Sequence, residues 1–295
     1  MKYQIISDSA CDLSQEAKEL GIRLVPFQIV FDDERSLKEN LEIDVREFYR
    51  FLVENPNVFP KTALPSVQDY ADVFSEYARE NIPMICICIS SKISGSYNSA
   101  TIARELILEE YPKAEIEIID SHFATVLEGL LVLECVRLRD NMVSLEESAA
   151  RLRKTVETGR IFFSVGSVDY LKAGGRMSRF SGVLTSTLGM KPVITMKDGK
   201  LISEGVTMSR KKSIEKIKAA VGEYIGSIKD QLDLYNIVVG YGYDRGEAER
   251  LRDELYEMLK EACSADVEIS VRQIGSTIGV HTGPHPLGIG ILKGS

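Results

Sequence analysis

Residues Met84-Ile85-Cys86-Ile87-Cys88-Ile89 form an unbroken apolar run, the pattern of a strand buried on both faces of a sheet. Ser90-Ser91-Lys92-Ile93-Ser94-Gly95-Ser96-Tyr97-Asn98-Ser99-Ala100 follows at once. From Thr101 to Glu110, Ile102, Leu106 and Ile107 then recur at helical spacing beside Arg104, Glu105 and Glu109. A buried strand that ends in a hydroxyl-rich turn opening a helix belongs to an open α/β sheet. Such sheets bind ligands just outside the carboxyl ends of their strands. The first-turn amides of the helix lack intrahelical partners and lie at the positive end of its dipole. A carboxylate or phosphate there would be held by backbone N–H groups, with Ser94 or Ser96 adding a hydroxyl. Serines at helix starts usually act only as caps, but a cap needs one hydroxyl. This turn offers Ser90, Ser91, Ser94 and Ser96, and the surplus points to a ligand.

The rest of the first half repeats the strand–helix alternation. Tyr3–Ser7 reads as a strand, followed by a polar turn with Asp12 or Ser14 capping a helix through Leu20. Asp8 and Asp12 read equally well as turn and capping residues or, for Asp8 and Ser9, as groups facing the same crevice. A second strand, Arg23–Phe31, is broken by Pro26, and Asp44 caps a helix through Val53. Pro60 and Pro65 stiffen the segment carrying Thr62, and Ser66 caps a helix over Val67–Glu80. Glu115–Ile119 is a further strand ending in Asp120-Ser121-His122, with helices over Phe123–Arg139 and Leu145–Glu157. Strands alternating with helices predict a parallel sheet, and residues 1–160 are assigned to this domain.

From residue 161 the pattern changes to a mixed α+β domain spanning 161–295. Ile161–Val165 is a strand, and Tyr170–Arg179 is a helix end with a double-glycine stop at Gly174-Gly175. Pro192–Met196 and Leu201–Val206 flank Lys197-Asp198-Gly199-Lys200, a hairpin with Asp-Gly turn chemistry. Helices over Lys211–Ile228 and Gly246–Glu261 alternate with strands at Asn236–Gly240 and Val267–Arg272. No linker separates the halves, which predicts close packing with a cleft between them.

Composition narrows the function. The chain of 295 residues carries a net charge of −8, leaving no basic excess for nucleic acid or an anionic membrane. No run approaches a membrane span. The N-terminal segment reaches Ser7-Asp8 before an h-region forms, which predicts a cytoplasmic protein. The five cysteines lack C-x-x-C spacing and read as reduced core thiols. Gly240-Tyr241-Gly242-Tyr243-Asp244-Arg245-Gly246 approaches a dinucleotide fingerprint, but its third glycine is one place late, so a tight turn is the better reading. His281 and His285 flank Thr282-Gly283-Pro284, which cannot set them on one helix face as a zinc pair requires. No cofactor or metal is expected. The glycines of Gln273–Pro284 mark places where backbone passes close to something.

Taken together, Ser7-Asp8-Ser9-Ala10-Cys11-Asp12-Leu13, Thr62 before Pro65-Ser66, the serine turn, Asp120-Ser121, Leu171–Arg176 and Ile274–Pro284 resemble the DegV family across essentially the whole chain. The resemblance implies a non-catalytic fatty-acid-binding protein whose palmitate-like ligand lies between the two domains. Its carboxylate would be bound by Thr62 and Ser94, with Gly95, Ser96 and His281 completing the site. It also implies the lipid-carrying subunit of a bacterial fatty acid kinase, with Arg176 and His281 serving presentation to a separate ATP-binding kinase subunit. The family's Thr-Ser-Gln-Pro-Ser loop reads Thr62-Ala63-Leu64-Pro65-Ser66 here, and His285 replaces a common glycine. Phe27, Ile29, Leu64, Phe123, Phe162, Phe163 and Leu184 are candidates for the acyl lining. The competing reading is a stand-alone enzyme using Asp8, Asp120 and His281 as acid/base groups on a small anionic substrate.

Overall fold

The computed structural model describes residues 3–31, 35–181, 190–263 and 267–294. Strand β1 (Gln4–Asp8) ends in a single 3₁₀ turn, and β2 (Ile22–Val25) and β3 (Gln28–Val30) follow on either side of Pro26. The break expected at that proline sends the two strands into different sheets. The helix expected up to Leu20 is absent: residues 14–20 form successive turns. Asp12, with φ 57°, sits in the left-handed region as the C-cap of the 3₁₀ turn. A residue there ends a right-handed helix instead of starting one.

Next come β4 (Ser36–Lys38), α1 (Val45–Glu54), β5 (Lys61–Ala63) and α2 (Val67–Ala78). Asp44 caps α1 by accepting the N–H groups of Arg46 and Glu47, and Ser66 with Asp69 forms a capping box on α2. Then follow β6 (Met84–Cys88), α3 (Ser96–Glu110), β7 (Ile116–Asp120), α4 (Thr125–Asp140) and α5 (Leu145–Val156). The second half runs through β8 (Arg160–Ser164), α6 (Val168–Ala173), β9 (Phe180–Ser181), β10 (Lys191–Lys197) and β11 (Lys200–Thr207). It ends with α7 (Arg210–Ile228), β12 (Tyr235–Tyr241), α8 (Arg245–Cys263), β13 (Ile269–Gln273), α9 (Ser276–Thr282) and β14 (Leu287–Lys293).

Among the described residues these strands form three sheets. The first is parallel, with order β2-β1-β6-β7, and all five residues of its central β6 are buried. The second is a seven-stranded mixed sheet with order β13-β12-β14-β8-β10-β11-β9, and the third is the antiparallel ribbon β4-β3-β5. A parallel-sheet α/β half followed by a mixed-sheet half is the architecture expected from the strand and helix pattern. Neither the ribbon nor β14, which joins β12 to β8, was expected. The glycines in Leu287-Gly288-Ile289-Gly290 weaken the strand signal, yet β14 holds two segments of the mixed sheet together.

Helix α4 explains why the halves pack closely. Twelve of its sixteen residues are buried, because it contacts β1 on one side and β12 and β14 on the other. One hydrophobic cluster therefore joins Ile5 and Ile87 of the first sheet through Leu127 and Leu131 to Ile194, Val238 and Leu292 of the second. The β10–β11 hairpin reaches back across the junction. Asp198 and Gly199 both have positive φ, 51° and 77°, as an Asp-Gly hairpin turn requires. The Gly199 carbonyl at the tip accepts a 2.8 Å hydrogen bond from Ser90 Oγ.

Candidate functional site

Between the two larger sheets lies a cavity lined by residues of both halves of the chain. Its walls are largely apolar: Ile89, Val126, Ile161, Leu171, Met196 and Leu201 all line it and are buried. Thr62, Ser94, Arg176 and His281 line it too, and each is partly exposed. The buried remainder of the lining is apolar apart from Thr125, Thr277 and Thr282, whose hydroxyls are bonded to Asp12, Glu39 and the Ile278 carbonyl.

Each polar residue is positioned by its element. Thr62 sits on β5, paired with Ile29 of β3. His281 lies on α9, where a loop was expected, and its Nε2 is 3.0 Å from Thr62 Oγ1. Glu39 anchors α9 to the first half: its carboxylate accepts the Thr277 N–H at 2.8 Å and the hydroxyls of Thr277 and Ser9 at 2.6 Å each. The glycines expected to mark close approaches do so on this helix. A Cβ on Gly279 would lie 2.7 Å from Phe48 Cε1 and 2.9 Å from Tyr49 Oη. Burial, reinforced by the charge of Arg176, pushes the His281 pKa down to about 3, so the imidazole is neutral at ordinary pH. A neutral ring with Nε2–H donating to Thr62 Oγ1 leaves the threonine O–H free to donate into the cavity.

Arg176 follows the helix stop after α6, and its Nη1 donates to the Gly174 carbonyl at 2.7 Å. Among the described residues it has no salt-bridge partner. Burial and the neighbouring Arg179 charge lower its pKa. A cation held this way favours an anion at the cavity's polar end.

The four serines of the turn divide their work. Ser90 holds the hairpin tip and also accepts the Lys92 N–H at 3.2 Å. The Ser91 N–H donates to Asp120. Ser96 Oγ, fully buried, lies 2.7 Å from both Asp8 Oδ2 and Tyr70 Oη, away from the cavity lining. Gly95 is the N-cap of α3 and is not on the lining either. Ser94 alone of the four serines lines the cavity, and its Oγ accepts the Ser96 N–H at 3.2 Å. Thr62 and His281 are therefore in contact and share the cavity lining with Ser94 and Arg176, whereas Gly95 and Ser96 lie off the lining.

Asp8 and Asp120 do not join His281. Asp8 bridges two strand ends, accepting from Ile89 N at 3.0 Å and from Ser96 Oγ, and burial pushes its pKa up to about 6. Asp120 accepts the Ser91 and His122 N–H groups at 3.1 Å each. Neither lines the cavity. Of the apolar candidates, Phe27 and Phe163 line it; Ile29, Leu64, Phe123 and Phe162 do not, and Leu184 lies outside the described residues.

Glu39 and Thr125 were missed at the sequence level. Thr125 lines the cavity at the start of α4 with φ 56°, a strained position for a β-branched residue. Its hydroxyl donates to Asp12. Neither residue sits in a recognisable spacing, so only the folded contacts reveal them. Among the described residues no group of His, Cys, Asp and Glu side chains could hold a metal ion, and no helix is long and apolar enough to cross a membrane.

A largely apolar cavity bearing hydroxyls, an imidazole and a guanidinium has the chemistry that suits an amphipathic anion. The chain belongs to the DegV family: the family model described as "Uncharacterised protein, DegV family" matches residues 2–294. A DegV domain-containing protein of Caldanaerobacter subterraneus is 32% identical over 298 residues, covering 98% of each chain. The crystal structure of a stearic acid-binding protein from Eubacterium ventriosum is similar with a TM-score of 0.91 and 39% identity, covering 99% of this chain and 98% of that one. A fatty-acid-binding DegV family protein from Thermus thermophilus is similar at TM-score 0.83 and 28% identity, covering 99% and 100%.

Proposed function

We propose that this chain binds a long-chain fatty acid in the cavity and presents its carboxylate to a separate ATP-binding kinase subunit, without catalysis of its own. The observation that carries the binding reading is the cavity's polarity. Its buried lining is apolar apart from Thr125, Thr277 and Thr282, whose hydroxyls are already bonded within the protein, whereas Thr62, Ser94, Arg176 and His281 are partly exposed. Each buried CH₂ contributes about 0.8 kcal/mol, so the tail supplies most of the affinity. The head group then needs enough hydrogen bonds to offset its desolvation, and Thr62 and Ser94 supply them. In this reading residues 1–160 contribute the two hydroxyls, and residues 161–295 contribute Arg176 and His281.

Presentation to a kinase is the finer part of the proposal and is supported by the partly exposed positions of Thr62, Ser94, Arg176 and His281. Neutral hydroxyls leave the carboxylate electron-rich towards ATP, while Arg176 stands ready for the added negative charge of an acyl phosphate. A cytoplasmic site of action belongs to the same proposal, with the thiols of Cys11, Cys86, Cys88 and Cys135 buried and unpaired. Asp8 and Asp120, both engaged in backbone contacts away from the cavity, favour a carrier over a stand-alone acid/base enzyme.

The binding reading is tested by extracting the purified protein with organic solvent and identifying the extract by mass spectrometry. Near-stoichiometric long-chain fatty acid is expected. Its absence after expression in a lipid-replete host would contradict the proposal.

A further inference from the structure

The two glycines of Gly174-Gly175 are there for different reasons. Gly175, with φ +69°, takes the left-handed conformation that stops α6, and a Cβ on it would meet nothing within 4 Å. Gly174, the C-cap, has φ −76° and ψ −1°, a conformation open to any L-residue. Backbone geometry does not demand glycine there. Space does: a Cβ on Gly174 would fall 2.1 Å from His281 Nδ1 and 2.8 Å from Cε1. The imidazole rests against the bare Cα of Gly174, and this leaves Nδ1 buried with no hydrogen-bond partner. The same residue's carbonyl holds Arg176 Nη1 at 2.7 Å.

We infer that Gly174 is a positioning residue for the head-group site: its missing side chain sets His281 at the distance from which Nε2 reaches Thr62, and its carbonyl orients Arg176. The inference rests on the lipid-binding reading above and deepens it, because it names the residue that fixes the polar end from behind. His281 is clamped between two contacts, Gly174 at Nδ1 and Thr62 at Nε2. Any side chain at 174 must push the ring from one toward the other or turn it away. The 3.0 Å bond to Thr62 then changes, and with it the direction in which the threonine O–H points. Arg176 has a longer route to the same effect, since it is tied to a carbonyl that Gly174→Ala keeps.

A double-mutant cycle separates positioning from mere loss of packing. Palmitate affinity is measured for wild type, Gly174→Ala, His281→Ala and the double variant, with thermal unfolding recorded for each. Gly174→Ala is expected to weaken palmitate binding about tenfold, the scale of one lost hydrogen bond to a charged group. His281→Ala should lose a similar factor, and the double variant should be no weaker than His281→Ala, because the clash partner is gone. A loss from Gly174→Ala that is equally large in the His281→Ala background overturns the inference, as does wild-type affinity in Gly174→Ala.

The ¹⁵N spectrum of the imidazole is a second readout, tractable with three histidines in the chain. Gly174→Ala should move the His281 resonances and leave His122 in place, and an unmoved His281 also overturns the inference. That measurement needs no ligand. If wild type binds no palmitate, the lipid reading fails on its own, and the spectrum still decides whether Gly174 places the ring.

Discussion

Replacing Thr62 and Ser94 together by alanine lowers palmitate affinity by about a hundredfold or more while the fold survives. Each hydroxyl that bonds a carboxylate is worth about 1.5–3 kcal/mol, or roughly tenfold or more in affinity. The two act on one ligand, so their effects need not add. Thr62→Ala should cost more than Ser94→Ala. Removing the threonine hydroxyl also releases His281 Nε2 from the partner it has at 3.0 Å, so a second polar group of the site loses its position. Ser94→Ala removes only a ligand contact and the acceptor for the Ser96 N–H. Neither change reaches the ladder of β5, whose bonds to β3 are backbone, so unfolding temperatures should stay near wild type. The check is titration with labelled palmitate alongside thermal unfolding. A double variant that binds as tightly as wild type removes the carboxylate from this end of the cavity.

Arg176→Ala separates carrying from presenting. It should keep bound fatty acid yet lose about a hundredfold in acyl-phosphate formation when mixed with an ATP-binding kinase subunit and ATP, the scale on which losing one stabilising donor slows a reaction. The basis is the residue's environment. Its guanidinium has the Gly174 carbonyl as a partner and no salt bridge among the described residues, and the nearby Arg179 charge works against it. Arg210, by contrast, is paired with the Glu247 carboxylate at 2.6 Å. The assay is acyl-phosphate production measured beside the lipid content of each preparation. Loss of lipid together with activity would make Arg176 part of the binding pocket, and full activity would remove it from the site. His281→Ala should behave differently from Arg176→Ala, because its bond to Thr62 predicts weaker binding as well as weaker transfer.

The readable parts of the fold were those set by local chemistry. The apolar run of β6, the Asp44 and Ser66 caps and the Asp-Gly hairpin depend on neighbours in sequence, and each stands where its residues indicate. What failed depended on partners far along the chain. Asp12 and Ser14 offered a helix cap, but Asp12 is drawn into the left-handed region and bonded by Thr125, 113 residues away. The glycines of 275–283 suggested a loop, yet they let α9 lie against Phe48 and Tyr49. β14 carries glycines that lower its own propensity, and its place is fixed by pairing with β12 and β8.

The candidate site divides the same way. Thr62 and Ser94 were legible because rigid flanking prolines and a strand-to-helix turn mark places where hydroxyls are held. Ser96 carries the same local signal, and only its contacts with Asp8 and Tyr70 identify it as a support. Glu39 fixes the helix bearing His281 through bonds spanning 238 residues, a relation that no spacing rule encodes.

The central claim is that a fatty acid lies in this cavity with its carboxylate at Thr62 and Ser94, and a crystal structure grown with palmitate tests it most directly. The carboxylate oxygens are expected within about 2.5–3.2 Å of Thr62 Oγ1 and Ser94 Oγ, with the acyl chain running among Ile161, Phe163, Met196 and Leu201. A carboxylate bound elsewhere, an acid lying the other way round, or a cavity without palmitate at saturating concentration would contradict it.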